Sequence, residues 1–197
     1  MLGWWRESTV PQLIDTSNRV GTLVVAMNEV IATEGIPGLT LRKIAAVSRV
    51  STGSIIHHLG GKSRLLSLGA GLTGRALHAS ISDARWSVGA LGFLPGGEDE
   101  VLVTRAWLAW TELGRNDPVV EIPVTQARRE ERALLAEILD YRLEREELDL
   151  LTAVIEGLRE AVCRPTRPMP PARARDLLAR HLDRLGVLVS LPDAAGP

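Results

Sequence analysis

Residues 39–66, LTLRKIAAVSRVSTGSIIHHLGGKSRLL, read as two short helices joined by a tight turn, followed by a Gly-Gly break and the start of another helix. Thr40 is an N-cap residue, and Leu41, Ile44 and Ala45 share one face of the helix that follows to about Val47. Ser48, Arg49 and Val50 form the turn. Ser51 caps a second helix carrying Ile55, Ile56 and Leu59, and Gly60 and Gly61 end it. Two such helices over a small apolar seam make a helix-turn-helix unit.

The charge pattern of this stretch is distinctive. No Asp or Glu occurs from Gly35 to Ser82, and the chain's only two lysines, Lys43 and Lys62, lie within that span. Residues 1–66 carry a net charge of +3 and residues 67–197 a net charge of −4, within a total of −1. A basic front on an acidic back points to a polyanion-facing module. Arg42 and Lys43 sit in one first helical turn, and Lys62 and Arg64 in another. Cations there oppose the helix dipole unless an anion binds at the same end, as a phosphate would. Thr52, Gly53, Ser54, His57 and His58 lie on the polar side of the second helix, and Gly53 lets it approach a partner closely. His57 and His58 point about 100° apart and lack an i, i+4 partner, so no metal site is expected. A merely solvated basic face is the alternative, and it leaves the missing acids unexplained.

These residues carry a family resemblance. The segment from Thr22 to Leu66 resembles the DNA-binding region of the TetR (tetracycline-repressor) family of bacterial regulators, through Gly35, Leu39-Thr40, Lys43-Ile44-Ala45, Val50-Ser51, Gly53, His58, Lys62 and Leu65-Leu66. The Gly60-Gly61-Lys62 break resembles the subgroup that contains regulators of betaine synthesis. The resemblance implies that Thr40, His58 and Lys62 hold phosphates, that Arg42 reaches a base, and that Thr52, Ser54 and His57 face bases. It also implies double-stranded operator DNA and an unidentified small-molecule effector as partners, and a homodimer. The chain departs from the family at Arg49, where Gly is usual, and at Ile56 and Leu59, where Tyr and Phe are usual. Losing the Tyr removes a phosphate contact, which Arg49 is a candidate to replace.

The flanks read as helices throughout, so the fold class is all-α. A first helix is expected over 17–34, then one over 62–81, and others over 100–115, 125–144, 148–162 and 172–189. Gly69, Gly71 and Gly74 lie inside the 62–81 helix, where each costs roughly 1 kcal/mol against Ala, so a soft or bent helix is expected. The expected organisation is an N-terminal extension at 1–16, which holds Trp4 and Trp5, and a three-helix DNA-binding domain at 17–66. A helical ligand-binding and dimerisation domain at 67–190 and a disordered tail at 191–197 complete it.

In the back half, Ala153, Gly157 and Ala161 recur every four residues beside Leu150, Val154 and Leu158, and the last helix offers Leu178, Leu182 and Leu185. Small residues permit close helix approach, so these are the candidate dimer interface, with an ordinary intramolecular core as the alternative. Trp86, Phe93, Trp107, Trp110 and Tyr141 are the candidate lining of an effector pocket, with Thr111 beside them and Arg105 or Glu112 to orient a charged ligand. Core packing for the aromatics and a surface ion pair for the charges are the alternatives.

Nothing marks an enzyme: there is no Ser/His/acid set, no paired carboxylates and no metal-ligand cluster, and no cofactor is implied. The single cysteine, Cys163, allows no intrachain disulfide. No signal peptide or membrane-spanning run is visible, so a cytoplasmic protein is expected. The reading is a ligand-responsive transcriptional regulator, a repressor released from a palindromic operator by its effector. Two alternatives stand beside it: a small helical binding protein or enzyme acting on an acidic ligand, and a family member that has lost DNA binding.

Overall fold

The computed structural model describes residues 11–187, with side chains outside 11–19, 58 and 84–87. Trp4, Trp5, the tail 191–197 and the side chains of His58 and Trp86 lie outside the described residues. The described chain forms α1 (Pro11–Gly38), α2 (Leu41–Ser48), α3 (Thr52–Leu59), α4 (Lys62–Val88), α5 (Glu98–Gly114), α6 (Pro118–Ile138), α7 (Arg145–Cys163) and α8 (Pro171–Arg184), with a 3-10 turn at Gly89–Phe93. No described helix is long and apolar enough to cross a membrane.

Several boundaries differ from expectation, and both ends of α1 and of α6 do so for local reasons. Helix α1 begins at Pro11 rather than near residue 17, because proline's fixed φ and missing N–H suit a first helical turn. Gly35 then breaks α1 at φ 72°, ψ −173°, where the sequence predicts a stop, and one further helical turn follows. Asn116-Asp117-Pro118 ends α5 and also starts α6: the Asp117 side chain accepts a hydrogen bond from Val119 N at 2.9 Å, and Pro118 fills the first turn. Helix α6 therefore starts seven residues before the expected position. It stops at Ile138 rather than 144, because Asp140 and Tyr141 both adopt φ 54°, a left-handed backbone no α-helix can continue through.

Two apolar clusters hold the elements together. The first joins Leu23, Met27, Val30 and Ile31 of α1 to Ile44, Ile55 and Leu59 of α2 and α3, and runs on to Trp107 and Trp110 of α5 and Val124 and Ala127 of α6. The second gathers Ile81, Phe93, Leu135, Leu151, Ile155, Leu178 and Leu182 around α7 and α8. Helix α4 crosses both, with Leu77 packed against each. Packing is thus continuous through residue 66, and it changes cluster along α4.

The glycines of α4 serve close packing, which corrects the expectation of a soft helix. A Cβ on Gly69 would stand 2.6 Å from Met27 Cε and 2.9 Å from Trp110, and one on Gly74 would stand 2.7 Å from Ala127 Cβ. Only glycine lets α1, α5 and α6 approach α4 this closely. Gly71 differs, since its nearest neighbour would be Pro123 Cβ at an ordinary 3.5 Å.

Candidate nucleic-acid interface and buried polar cluster

The helix-turn-helix is built by its caps. Thr40 Oγ1 accepts from Lys43 N at 3.2 Å and Ser51 Oγ accepts from Ser54 N at 3.1 Å, satisfying first-turn donors of α2 and α3. Arg49 turns the chain between them at φ 57°, the left-handed conformation that glycine adopts without strain. Gly60 at φ 71° and Gly61 at φ 108° turn it again into α4. These turns leave Thr40, Arg42, Arg49, Ser51, Thr52, Gly53, Ile56, His57, Lys62 and Arg64 exposed, with Ser54 half-buried. Leu59 lies in the core, so of the two positions where the family usually has an aromatic ring only Ile56 reaches the surface.

Lys43 is engaged within the chain. Its Nζ stands 2.6 Å from Glu34 Oε1 at the end of α1. Glu34 thereby supplies a carboxylate beside the N-terminal end of α2, which the basic first turn otherwise lacks. Among the described residues, Lys62 has no such partner.

A polar bridge ties this head to the helices behind it. The Trp110 indole N–H donates to Asn28 Oδ1 at 3.0 Å, and the Thr73 hydroxyl lies 2.8 Å from both Asn28 Oδ1 and the Gly69 carbonyl. One side-chain oxygen of α1 therefore links α4 and α5.

Deeper in the body lies a cluster that the sequence reading missed. Arg159 of α7 is 1 % exposed; its Nε donates to the Phe93 carbonyl at 2.7 Å and its Nη1 bonds the Glu131 carboxylate of α6. Its guanidinium carbon sits 5.9 Å from the Phe93 ring centroid. His78 of α4 faces the neighbouring Glu130, Nδ1 to Oε2 at 3.7 Å. Burial pushes the His78 pKa below its usual value, against the upward pull of Glu131 and Glu130 and with a further push from Arg159. Two buried polar atoms here have no hydrogen-bond partner: Arg159 Nη2 and His78 Nε2.

No protein-family model matches the sequence, and no curated protein does. Solved structures do match. A crystal structure described as a TetR-family transcriptional regulator from Rhodococcus sp. superposes at TM-score 0.74 with 20 % identity, over 88 % of this chain and all of that one (100 %). A transcriptional regulator from Saccharomonospora viridis, solved with choline, gives 0.67 and 18 % over 85 % of this chain and 96 % of its own. The multidrug binding protein EbrR with imidazole gives 0.61 and 21 % over 90 % and 98 %. The chain has the TetR-family fold.

Within that fold the expected pocket residues separate. Trp107 and Trp110 are buried side by side in the first cluster, against the α4 glycines. Phe93 belongs to the second cluster, beside Arg159. Thr111 donates its hydroxyl to the Leu108 carbonyl at 2.8 Å. Arg105 is half-buried, while Glu112 is exposed and pairs with Arg115 at 3.3 Å. Tyr141 is 73 % exposed in the turn after α6 and belongs to neither apolar cluster, which corrects its placement in a buried pocket.

The expected dimer residues divide by helix. On α7, Leu150, Ala153 and Gly157 are exposed along one stripe, with Val154, Leu158 and Ala161 half-buried beside it. On α8, Leu178 and Leu182 are fully buried in the subunit's own second cluster, and Leu185 packs on its edge. This corrects their assignment to an interface: α8 turns its leucines inward against α7.

Proposed function

We propose that the chain is a homodimeric, ligand-responsive transcriptional regulator that binds a palindromic operator through α2, α3 and the start of α4, and releases it as a repressor when an effector enters the body. The observation that carries this reading is the exposure of Arg42, Arg49, Thr52, Gly53, His57, Lys62 and Arg64 on helices that hold no acid of their own from Gly35 to Ser82, set on a TetR-family fold. Lys62 and the free N–H groups of α4 would grip one phosphate. Thr52, Gly53 and His57 would face base edges, with Ile56 offering an apolar contact to a thymine methyl in place of the family's phosphate-binding tyrosine.

The stripe of Leu150, Ala153 and Gly157 supports a dimer built on α7. A Cβ at Gly157 would meet nothing within 4 Å of its own subunit, so Gly157→Glu leaves the fold intact and tests the interface alone. Sedimentation should show dimerisation weakened by about 100-fold or more, since a charge would enter a closely packed helix contact. Unchanged association would move the interface elsewhere. The Asn28 bridge supports a coupling route, because a body motion that shifts α4 or α5 has to carry α1 with it or break those bonds.

The deciding experiment is operator binding across a salt series, with genomic fragments as DNA and Lys62→Ala alongside. Tight sequence-specific binding should fall steeply with salt, and the variant's log–log slope should be shallower by about 0.9, one phosphate's share. Absence of any preferred fragment would sink the regulator reading and leave a fold that has lost DNA binding. The Lys43–Glu34 pair and Ile56 favour that second reading over an enzyme.

A further inference from the structure

Glu34 is the last acid before the run without Asp or Glu that covers α2, α3 and most of α4. Its carboxylate reaches into that run, with Oε1 2.6 Å from Lys43 Nζ in the first turn of α2. Among the described residues, Arg42, Arg49, Lys62 and Arg64 have no carboxylate partner. Of these five exposed cations, Lys43 is the one neutralised within the chain.

The backbone sets the pair in place. Gly35 at φ 72° ends the regular part of α1 directly after Glu34. The last turn then packs so closely that a Cβ on Gly38 would stand 2.6 Å from Glu34 Cβ and 3.1 Å from Glu34 Oε2. Glycine at 38 leaves room for the Glu34 side chain along the turn that leads into α2. Thr40 accepts from Lys43 N and so fixes where the Lys43 side chain departs.

Both side chains are exposed, and ion pairs of that kind contribute little stability. The larger effect falls on an approaching polyanion. A DNA phosphate that meets Lys43 either finds it held, or takes it and leaves a bare carboxylate facing the duplex. Either way the pair adds no net charge to the contact, whereas Lys62 adds a full one.

We infer that Glu34 is a built-in attenuator of DNA binding: it withholds Lys43 from the phosphate backbone and lowers the sequence-blind part of the grip, leaving α3 untouched. This rests on the reading of α2, α3 and the start of α4 as the DNA-binding face.

The test titrates four full-length proteins with the preferred genomic fragment and with a duplex of unrelated sequence, from about 0.05 to 0.5 M salt. They are the wild type, Glu34→Gln, the double variant Glu34→Gln, Lys43→Gln, and Asp176→Asn. Glu34→Gln should steepen the log–log slope by about 0.9, so its affinity relative to the wild type should change about eightfold over that decade of salt. The gain should be as large on the unrelated duplex, because a phosphate contact carries no sequence information. The double variant should return to the wild-type slope. Asp176→Asn opens an ion pair with Arg180 on α8 and should leave the slope unchanged, which separates a local effect from overall charge. An unchanged slope in Glu34→Gln, a gain that survives the loss of Lys43, or an equal gain in Asp176→Asn overturns the inference. Lys62→Ala on the same duplexes keeps the two readings apart. A flattened slope there beside an unchanged one in Glu34→Gln removes this inference alone. A Glu34→Gln gain on every duplex with no preferred fragment removes the regulator reading and leaves the attenuator standing, and no binding to either duplex removes both.

Discussion

The head and the body use the same side chains in opposite ways. In the head, Arg42, Lys43, Arg49, His57, Lys62 and Arg64 stand on the surface, and no acidic residue occupies the first turn of α2, α3 or α4. In the body, α5, α6 and α7 all open on acids: Glu98 to Glu100, Glu121, and Glu146 with Glu147. Those helices satisfy their own dipoles. The body's unmet polar demand is instead internal, at Arg159 and His78. The head leaves its polar capacity on the outside, and the body encloses its own.

The sharpest way to break this contrast is to remove Glu131. Glu131→Leu leaves Arg159 buried without its counter-charge, and urea unfolding should show a loss of about 3–5 kcal/mol. The double change Glu131→Leu, Arg159→Met should recover most of that, because an apolar pair of similar volume avoids the desolvation cost. A single-variant loss below about 1 kcal/mol would mean that water reaches the cluster.

Next in size is the α4 junction where the two regions meet. Gly69→Ala should cost about 1–3 kcal/mol by forcing Met27 and Trp110 apart, partly offset by better helix propensity. Gly71→Ala, with room for its methyl, should stabilise by up to about 1 kcal/mol on the same thermal or urea curves. Equal effects at the two positions would refute the close-packing account.

Smaller again is the contrast between the two lysines. Lys62→Ala should flatten the salt dependence of operator binding while changing unfolding by less than about 0.5 kcal/mol. Lys43→Ala should do the reverse, losing up to about 1 kcal/mol of stability through the exposed Glu34 pair.

The smallest expected signal is a pH slope. The folded-state pKa of His78 is depressed, so the unfolded chain binds more protons, and stability rises with pH until the ordinary value of 6.5 is passed. Stability should therefore fall as pH drops from about 6.5, and the fall should be shallower in His78→Leu. Glu131, Glu130 and Arg159 face this histidine.

How much was legible follows the same division. The head could be read from local rules, since caps at Thr40 and Ser51, glycines at 35, 60 and 61 and a run without acids are all short-range signals. Helix α1 could also be read, from Leu23, Met27, Val30 and Ile31. The α8 leucines could not be assigned, because an inward apolar stripe and an interface stripe have the same period. The α4 glycines misled, because propensity counts only the helix's own backbone and not the neighbours that press on it. The cluster left a trace that passed unread. Arg159 fills the core register of α7 set by Leu148, Leu151 and Ile155, and Glu131 fills that of α6 set by Val120, Val124 and Ala127. Opposite charges in core slots of two helices require a partner, and each satisfied the other.

The bond from Trp110 to Asn28 makes the protein its own optical probe. An indole whose N–H is held by a neighbouring helix emits differently once that bond is released, so in a variant that keeps Trp110 as its single tryptophan the spectrum reads the grip of the body on α1 without any added dye. Asn28→Ala, with the acceptor gone, would give the spectrum of the uncoupled state. The shift between the two would calibrate how far any added small molecule moves the head.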